Sequence, residues 1–212
     1  MTSTMRIDSL KTTPDRAGRY WVAFDDGTRI GLYRQTVEDF GLYTGMELTE
    51  EEFGKLQIAA GKMSAKMRAV RIVSASSVSK RSLEERLVQK GEDPQQAKEA
   101  VQWMSDLNLL DDKATAQQVV RACIAKGYGI ARAKQALYEK RIPKSYWDEA
   151  LEDYPDQADK IESFLRAHLD GSSDQKQVKK AIDGLIRRGH NYGTIRQVLN
   201  NLSFDTEDYF EE

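Results

Sequence analysis

Cysteine and histidine are nearly absent from this chain of 212 residues. Its single thiol, Cys123, excludes an intrachain disulfide, and the setting VVRACIAKG puts that residue on the apolar side of a helical pattern, where it reads as packing. His168 and His190 stand alone, without the paired His, Cys or carboxylate spacing of a zinc site; both are expected at the surface or at element boundaries. No run of about 18 apolar residues occurs, and the opening MTSTMRIDSL lacks the charged-then-apolar layout of a signal peptide. A cytoplasmic location is therefore expected. There is no G-x-x-x-x-G-K-[ST] loop, no base adjoins Cys123, and the carboxylates are scattered over charged helix faces. These absences argue against an enzyme and leave no cofactor or metal to expect.

Residues 6 to 48 read as a small β-rich unit. RYWVAF and RIGLY are short runs of aromatic and branched residues separated by DDGT. Asp26-Gly27 predicts a type I′ hairpin turn, which needs positive φ at both central residues. Thr36 is expected to cap a short helix, VEDF, closed by a left-handed Gly41, before GMEL returns extended.

From Thr49 the hydrophobic period becomes helical. Thr49 and Glu52 form a capping box, followed by Phe53, Leu56, Met63, Met67 and Val70 at helical spacing. Gly54 and Gly61 each weaken that helix by about 1 kcal/mol relative to alanine, which marks Gly61 as a candidate break. The polar run SASSVS, residues 74 to 79, is the candidate linker. Beyond it the pattern is helical to the end, with Asp93, Pro94 and Gln96 as N-cap, first-turn proline and capping-box partner. Asp112 is expected to cap the next helix, and Gly171 and Gly189 to end helices.

Internal similarity organises this helical part. LVQKGEDPQQAKEAV (87–101), LYEKRIPKSYWDEAL (137–151) and LIRRGHNYGTIRQVL (185–199) align without gaps. Leu87, Leu137 and Leu185 coincide, as do Ala97, Trp147 and Ile195, and the pairs Ala100-Val101, Ala150-Leu151 and Val198-Leu199. Leu83, Ala133 and Ala181 match upstream, and a base recurs as Lys90, Lys140 and Arg188, for which packing offers no reason. The spacing of roughly 50 residues suits three-helix units that share a core with their neighbours. The expected fold is mainly α: tandem three-helix repeats forming an elongated curved body, preceded by a small β-rich N-terminal unit. Its segments are 1–48 (β-rich), 49–78 (helix and linker), 79–112, 113–155 and 156–202 (repeats), and 203–212 (acidic tail).

The formal net charge of −2 conceals zoning along the chain. Bases concentrate in the second repeat and again in the third, with an acidic helix between and the tail SFDTEDYFEE after them. Lys90, Arg121, Lys126, Arg132, Lys134, Lys140, Arg141, Lys144, Lys176, Lys179, Arg187, Arg188 and Arg196 are the candidate contacts to a polyanion or an acidic protein groove. The ordinary alternative is a solvated helix face. Trp147 is assigned to the core by its alignment, whereas Tyr128 and Tyr192, beside glycine-containing breaks, are assigned to the surface. The acidic tail is a candidate competitor for the basic face.

The repeats, with the linking segment LNLLDDKATAQQVVR and the front unit YWVAFDDGTRIGLYRQTVEDFGLYTGMELTEEEF, resemble the RecX family, regulators of the bacterial recombinase RecA. The chain departs from the family at SASSVSKRS, where the basic lead-in is reduced to Lys80 and Arg81, and at Arg141, where glycine is usual. The resemblance implies a non-enzymatic, monomeric regulator that binds RecA and RecA–DNA filaments and modulates, mostly inhibiting, recombinase and ATPase activity in recombination, DNA repair and the SOS response. Single- and double-stranded DNA are further candidate partners. A helical repeat protein that binds nucleic acid without RecA is the alternative.

Overall fold

The computed structural model describes residues 4–170 and 174–202. The chain divides between Leu110 and Asp111 into two compact units. In the first, β1 (Thr4–Leu10), β2 (Arg19–Phe24), β3 (Arg29–Tyr33) and β4 (Glu47–Thr49) form an antiparallel sheet in the order β3-β2-β1-β4. β1 is the strand that residue pattern misses. Its register, Met5 opposite Leu48 and Leu10 opposite Val22, is set by partners distant in sequence.

The β2–β3 hairpin departs from the expected turn. Gly27 has φ +86 but Asp26 is not left-handed. The Gly27 amide donates to the Phe24 carbonyl (3.0 Å) and the Phe24 amide to Thr28 (2.9 Å), which makes a three-residue loop closed by a glycine bulge. Asp26 steadies it by accepting from the Thr28 amide and hydroxyl, both at 2.8 Å. Helix α1 (Arg34–Asp39) also begins earlier than expected, after Tyr33; Thr36 is buried within it and does not cap it.

Helix α2 (Glu50–Ala75) opens with the expected Thr49–Glu52 capping box and runs unbroken. Gly61 is no break: a Cβ there would lie 2.2 Å from the Gln96 side chain, so the glycine admits a neighbouring helix. The first half of α2 closes the sheet's core, with Leu56 among Ile7, Val22, Phe24, Leu32 and Leu48, and Phe53 edge-on to Phe24 at 5.1 Å. Its second half inserts Ala65 and Ala69 between α3 (Lys80–Gln89) and α4 (Pro94–Asp106). The serine-rich segment is correspondingly short: Val78 and Ser79 are buried, and Ser79 caps α3. Asp93 caps α4 as expected, but Gln96 reaches the Ile58 carbonyl of α2 (3.5 Å) and completes no capping box.

The second unit contains α5 (Asp112–Ala125), α6 (Ile130–Glu139), a 3₁₀ turn (Lys144–Tyr146) and α7 (Trp147–Leu151), then α8 (Ala158–His168), α9 (Gln175–Arg187) and α10 (Tyr192–Asn201). Asp111, one residue before the expected cap, accepts from the Ala114 amide at 3.0 Å; Asp112 is buried in the first turn. One core joins Ala116, Val120 and Cys123 to Leu137, Ile142 and Leu151. Another joins Ile161 and Leu165 to Ala181, Leu185, Ile195 and Leu199. The aligned apolar positions of the three repeats are thus the cores themselves, with Trp147 and Ala150 half-buried against theirs. Gly171 and the acidic segment 203–212 lie outside the described residues.

Candidate functional site

The recurring base has a structural reason that sequence alignment does not show. Lys90, Lys140 and Arg188 are the residues at which α3, α6 and α9 stop. Each is followed by a left-handed residue: Gly91 (φ +90), Arg141 (φ +56) and Gly189 (φ +85). The next residue then donates its amide back to the aligned leucine: Glu92 to Leu87 (3.1 Å), Ile142 to Leu137 (3.0 Å) and His190 to Leu185 (3.2 Å). This closes the last turn of each helix and satisfies its carbonyls. A cation at that position faces the negative end of the helix dipole, worth about 0.3–1 kcal/mol. The helix end therefore gives a base at this position a stabilising role that needs no partner.

The second residue after each stop is buried. Glu92 accepts from Ser64 (3.0 Å) and pairs with Arg68 (2.6 Å), both on α2. Ile142 enters the core of its own repeat. His190 is buried, contrary to the surface placement expected for it, and its Nε2–H donates to the Gly127 carbonyl at 3.0 Å. Burial, reinforced by nearby Arg188 and opposed by that hydrogen bond, holds its imidazole below the usual range.

His190 belongs to a main-chain seam between the turn 127–132 and the turn 188–190. The Gly129 amide donates to Arg188 (2.9 Å) and the Ala131 amide to Gly189 (3.3 Å). A Cβ on Gly129 would lie 2.0 Å from the Gly189 oxygen, and one on Gly189 would lie 2.3 Å from the Arg132 nitrogen, so both must be glycine. Tyr154 adds a hydrogen bond from its hydroxyl to the Tyr128 carbonyl (2.6 Å), and burial pushes that phenol up to about 12.

The seam brings helix ends carrying like charge to one place. Lys126 from the end of α5, Arg132 from α6, and Lys180, Arg187 and Arg188 from α9 surround a basin of about 840 Å³ whose lining includes no carboxylate. Arg132 is paired with Glu139 at 3.0 Å; among the described residues Lys126, Lys180 and Arg187 show no ion pair. Four of the thirteen candidate contacts meet here. Lys180 joins them, and its one-face spacing with Gly184 and Arg187 on α9 is the signal that points to it.

The other candidates are placed apart from the basin. Arg121 and Lys134 are exposed on α5 and α6; Lys140, Arg141 and Lys144 sit at the exposed turn between α6 and α7, with Arg141 over the Tyr138 ring at 5.8 Å. Lys176 and Lys179 are exposed on α9, and Arg196 on α10. Lys90 belongs to the first unit. Tyr192 is exposed as expected, whereas Tyr128 is half-buried at the basin's wall. Cys123 is buried and its thiol is pushed up by that burial, only partly countered by Arg132 and Lys126, which makes it a poor nucleophile. No group of histidine, cysteine and carboxylates suited to a metal ion is found among the described residues, and no helix among them is long and apolar enough to cross a membrane.

Comparison with known proteins gives this architecture a family. The model of the second three-helix domain of RecX matches residues 111–151. "Regulatory protein RecX" of Clostridioides difficile (strain 630) is 28% identical over 210 residues, covering 96% of this chain and 97% of that protein. The protein of the same name from Vibrio campbellii (strain ATCC BAA-1116) is 30% identical over 159 residues, covering 74% of this chain and 99% of its own length. A crystal structure of regulatory protein RecX shares the fold with a TM-score of 0.63 at 20% identity, over 92% of this chain and 99% of that one. The chain belongs to the RecX family of regulatory proteins.

Proposed function

We propose that this protein is a non-enzymatic regulator of RecA. It acts as a monomer in the cytoplasm, binds RecA and RecA–DNA filaments, and mostly inhibits ATP turnover and strand exchange in recombination, DNA repair and the SOS response. The observation that carries the reading is the full-length match to regulatory proteins of this family. The basic blocks within the second and third repeats support it, because a RecA–DNA filament is a dense polyanion and counterion release favours such contacts. Cations at helix ends also steer association from a distance.

The test is to titrate the protein into RecA on single-stranded DNA and follow ATP hydrolysis. Inhibition is expected; unchanged hydrolysis at every ratio overturns the proposal. Inhibition well below one protein per RecA identifies action at filament ends, and a stoichiometric requirement identifies coating of the groove. Reversing Lys140, Arg141 and Lys144 to glutamate tests the α6–α7 turn, with weakened filament binding at unchanged helicity as the expected result. The concentration of cations in the basin favours, as a second reading, nucleic-acid binding without RecA. Tight DNA binding at physiological salt to which RecA adds nothing selects that reading.

A further inference from the structure

We infer that the basin between α5, α6, α8 and α9 is a nucleotide-binding site, taking phosphate groups on its cations and a base on its aromatic wall. The charge comes first. Lys126, Arg132, Lys180, Arg187 and Arg188 surround one concavity, and among the described residues only Arg132 of these five has a carboxylate partner, Glu139. Cations gathered this way repel one another, and a bound polyanion relieves that repulsion while gaining charge-assisted hydrogen bonds. A volume of about 840 Å³ lies in the range of small-molecule sites.

The aromatic wall distinguishes a nucleotide from a bare anion. His168 stacks on Phe164 with centroids 4.1 Å apart and planes at 22°, and the Arg188 guanidinium lies 4.6 Å from the centroid of the same ring. The His168 ring is held in place by Nδ1–H donating to the Phe164 carbonyl at 2.8 Å. Gly184 allows Phe164 to lie close on α9, since a Cβ there would be 3.3 Å from its Cζ. The planar surfaces are therefore in place before a ligand arrives, which lowers the cost of ordering them. An acidic peptide would satisfy the cations but extends a planar stack only where it happens to carry an aromatic residue; every nucleotide carries a base beside its phosphates, and stacking on such platforms tolerates any base.

This chemistry is shared by a free nucleoside triphosphate and by one nucleotide of a single strand. The site is part of the full chain and its test needs no RecA, so failure here leaves the RecA proposal standing, and failure there leaves this one standing. Binding of fluorescent MANT-ATP and of a fluorescein-labelled oligothymidylate is measured by anisotropy at low salt. Lys180→Ala combined with Arg187→Ala, both at exposed positions, is expected to weaken binding by about tenfold or more at an unchanged melting temperature. Tripolyphosphate is expected to compete less well than ATP, and His168→Ala, also at an exposed position, to shrink that difference. MANT-ATP binding without the oligonucleotide assigns the free nucleotide; oligonucleotide binding without MANT-ATP assigns the strand. The inference is overturned if neither probe binds, if the double variant binds as tightly as the parent, or if tripolyphosphate or polyglutamate competes as well as ATP.

Discussion

Alanine substitutions at three glycines of the second unit separate backbone strain from steric exclusion at the seam. Gly127→Ala introduces strain alone: φ is +68, and the added methyl meets only the flexible Lys160 side chain at 3.2–3.4 Å. A left-handed alanine costs about 1–2 kcal/mol, partly offset by the reduced freedom of the unfolded chain, for a net loss of about 1 kcal/mol. Gly129→Ala introduces exclusion alone. Its φ of −75 suits alanine, but the methyl would stand 2.0 Å from the Gly189 oxygen, which is backbone and cannot rotate away. The turns must then part, breaking Gly129 to Arg188, Ala131 to Gly189 and His190 to Gly127. At about 1 kcal/mol for each hydrogen bond the loss is about 3 kcal/mol. Gly189→Ala combines both effects and should cost about 4 kcal/mol. Urea unfolding followed by circular dichroism gives the three values, and amide exchange at Gly129 and Ala131 reports the seam directly. A Gly129→Ala protein within about 0.5 kcal/mol of the parent, with those amides still protected, refutes the seam as a rigid contact.

Leu137→Ala removes a fully buried side chain and should lower stability by roughly 2–5 kcal/mol in the same assay. Arg141→Gly relieves a left-handed arginine, so stability should rise by up to about 1 kcal/mol, read as a higher urea midpoint. His190 makes stability depend on pH. The unfolded imidazole takes a proton near the ordinary histidine value of 6.5 and the folded one resists to lower pH, so stability is full above that value and falls as pH drops through and below it. His190→Gln should flatten that profile, measured as urea midpoint against pH.

The helices of the second half were legible because glycine, proline and aspartate punctuate them, and the alignment of Leu87, Leu137 and Leu185 located three cores at once. Other features depend on partners distant in sequence. β1 alternates weakly and is a strand because β2 and β4 pair with it. Gly61 looked like a weakness in α2 because nothing local reveals Gln96 beside it. The recurring base is visible in the sequence, but its place at the carboxyl end of a helix closed by a left-handed residue appears only with φ angles and amide partners. For the candidate site, Lys126, Arg132, Arg187 and Arg188 could be named from charge zoning. Their convergence could not, because it depends on a seam made by main-chain atoms, which carry no residue signature.

The continuity of α2 gives the first unit mechanical leverage. A helix of 26 residues is roughly 39 Å long, with one half gripped by the sheet and the other half serving as a wall of the first repeat's core. No flexible joint interrupts it, so a force applied to the sheet turns the first repeat as an oar turns in its lock. Deletion of the sheet alone would leave an apolar half-helix exposed at Phe53 and Leu56, and a cut at the serine-rich segment would remove Ala65 and Ala69 from a core that needs them.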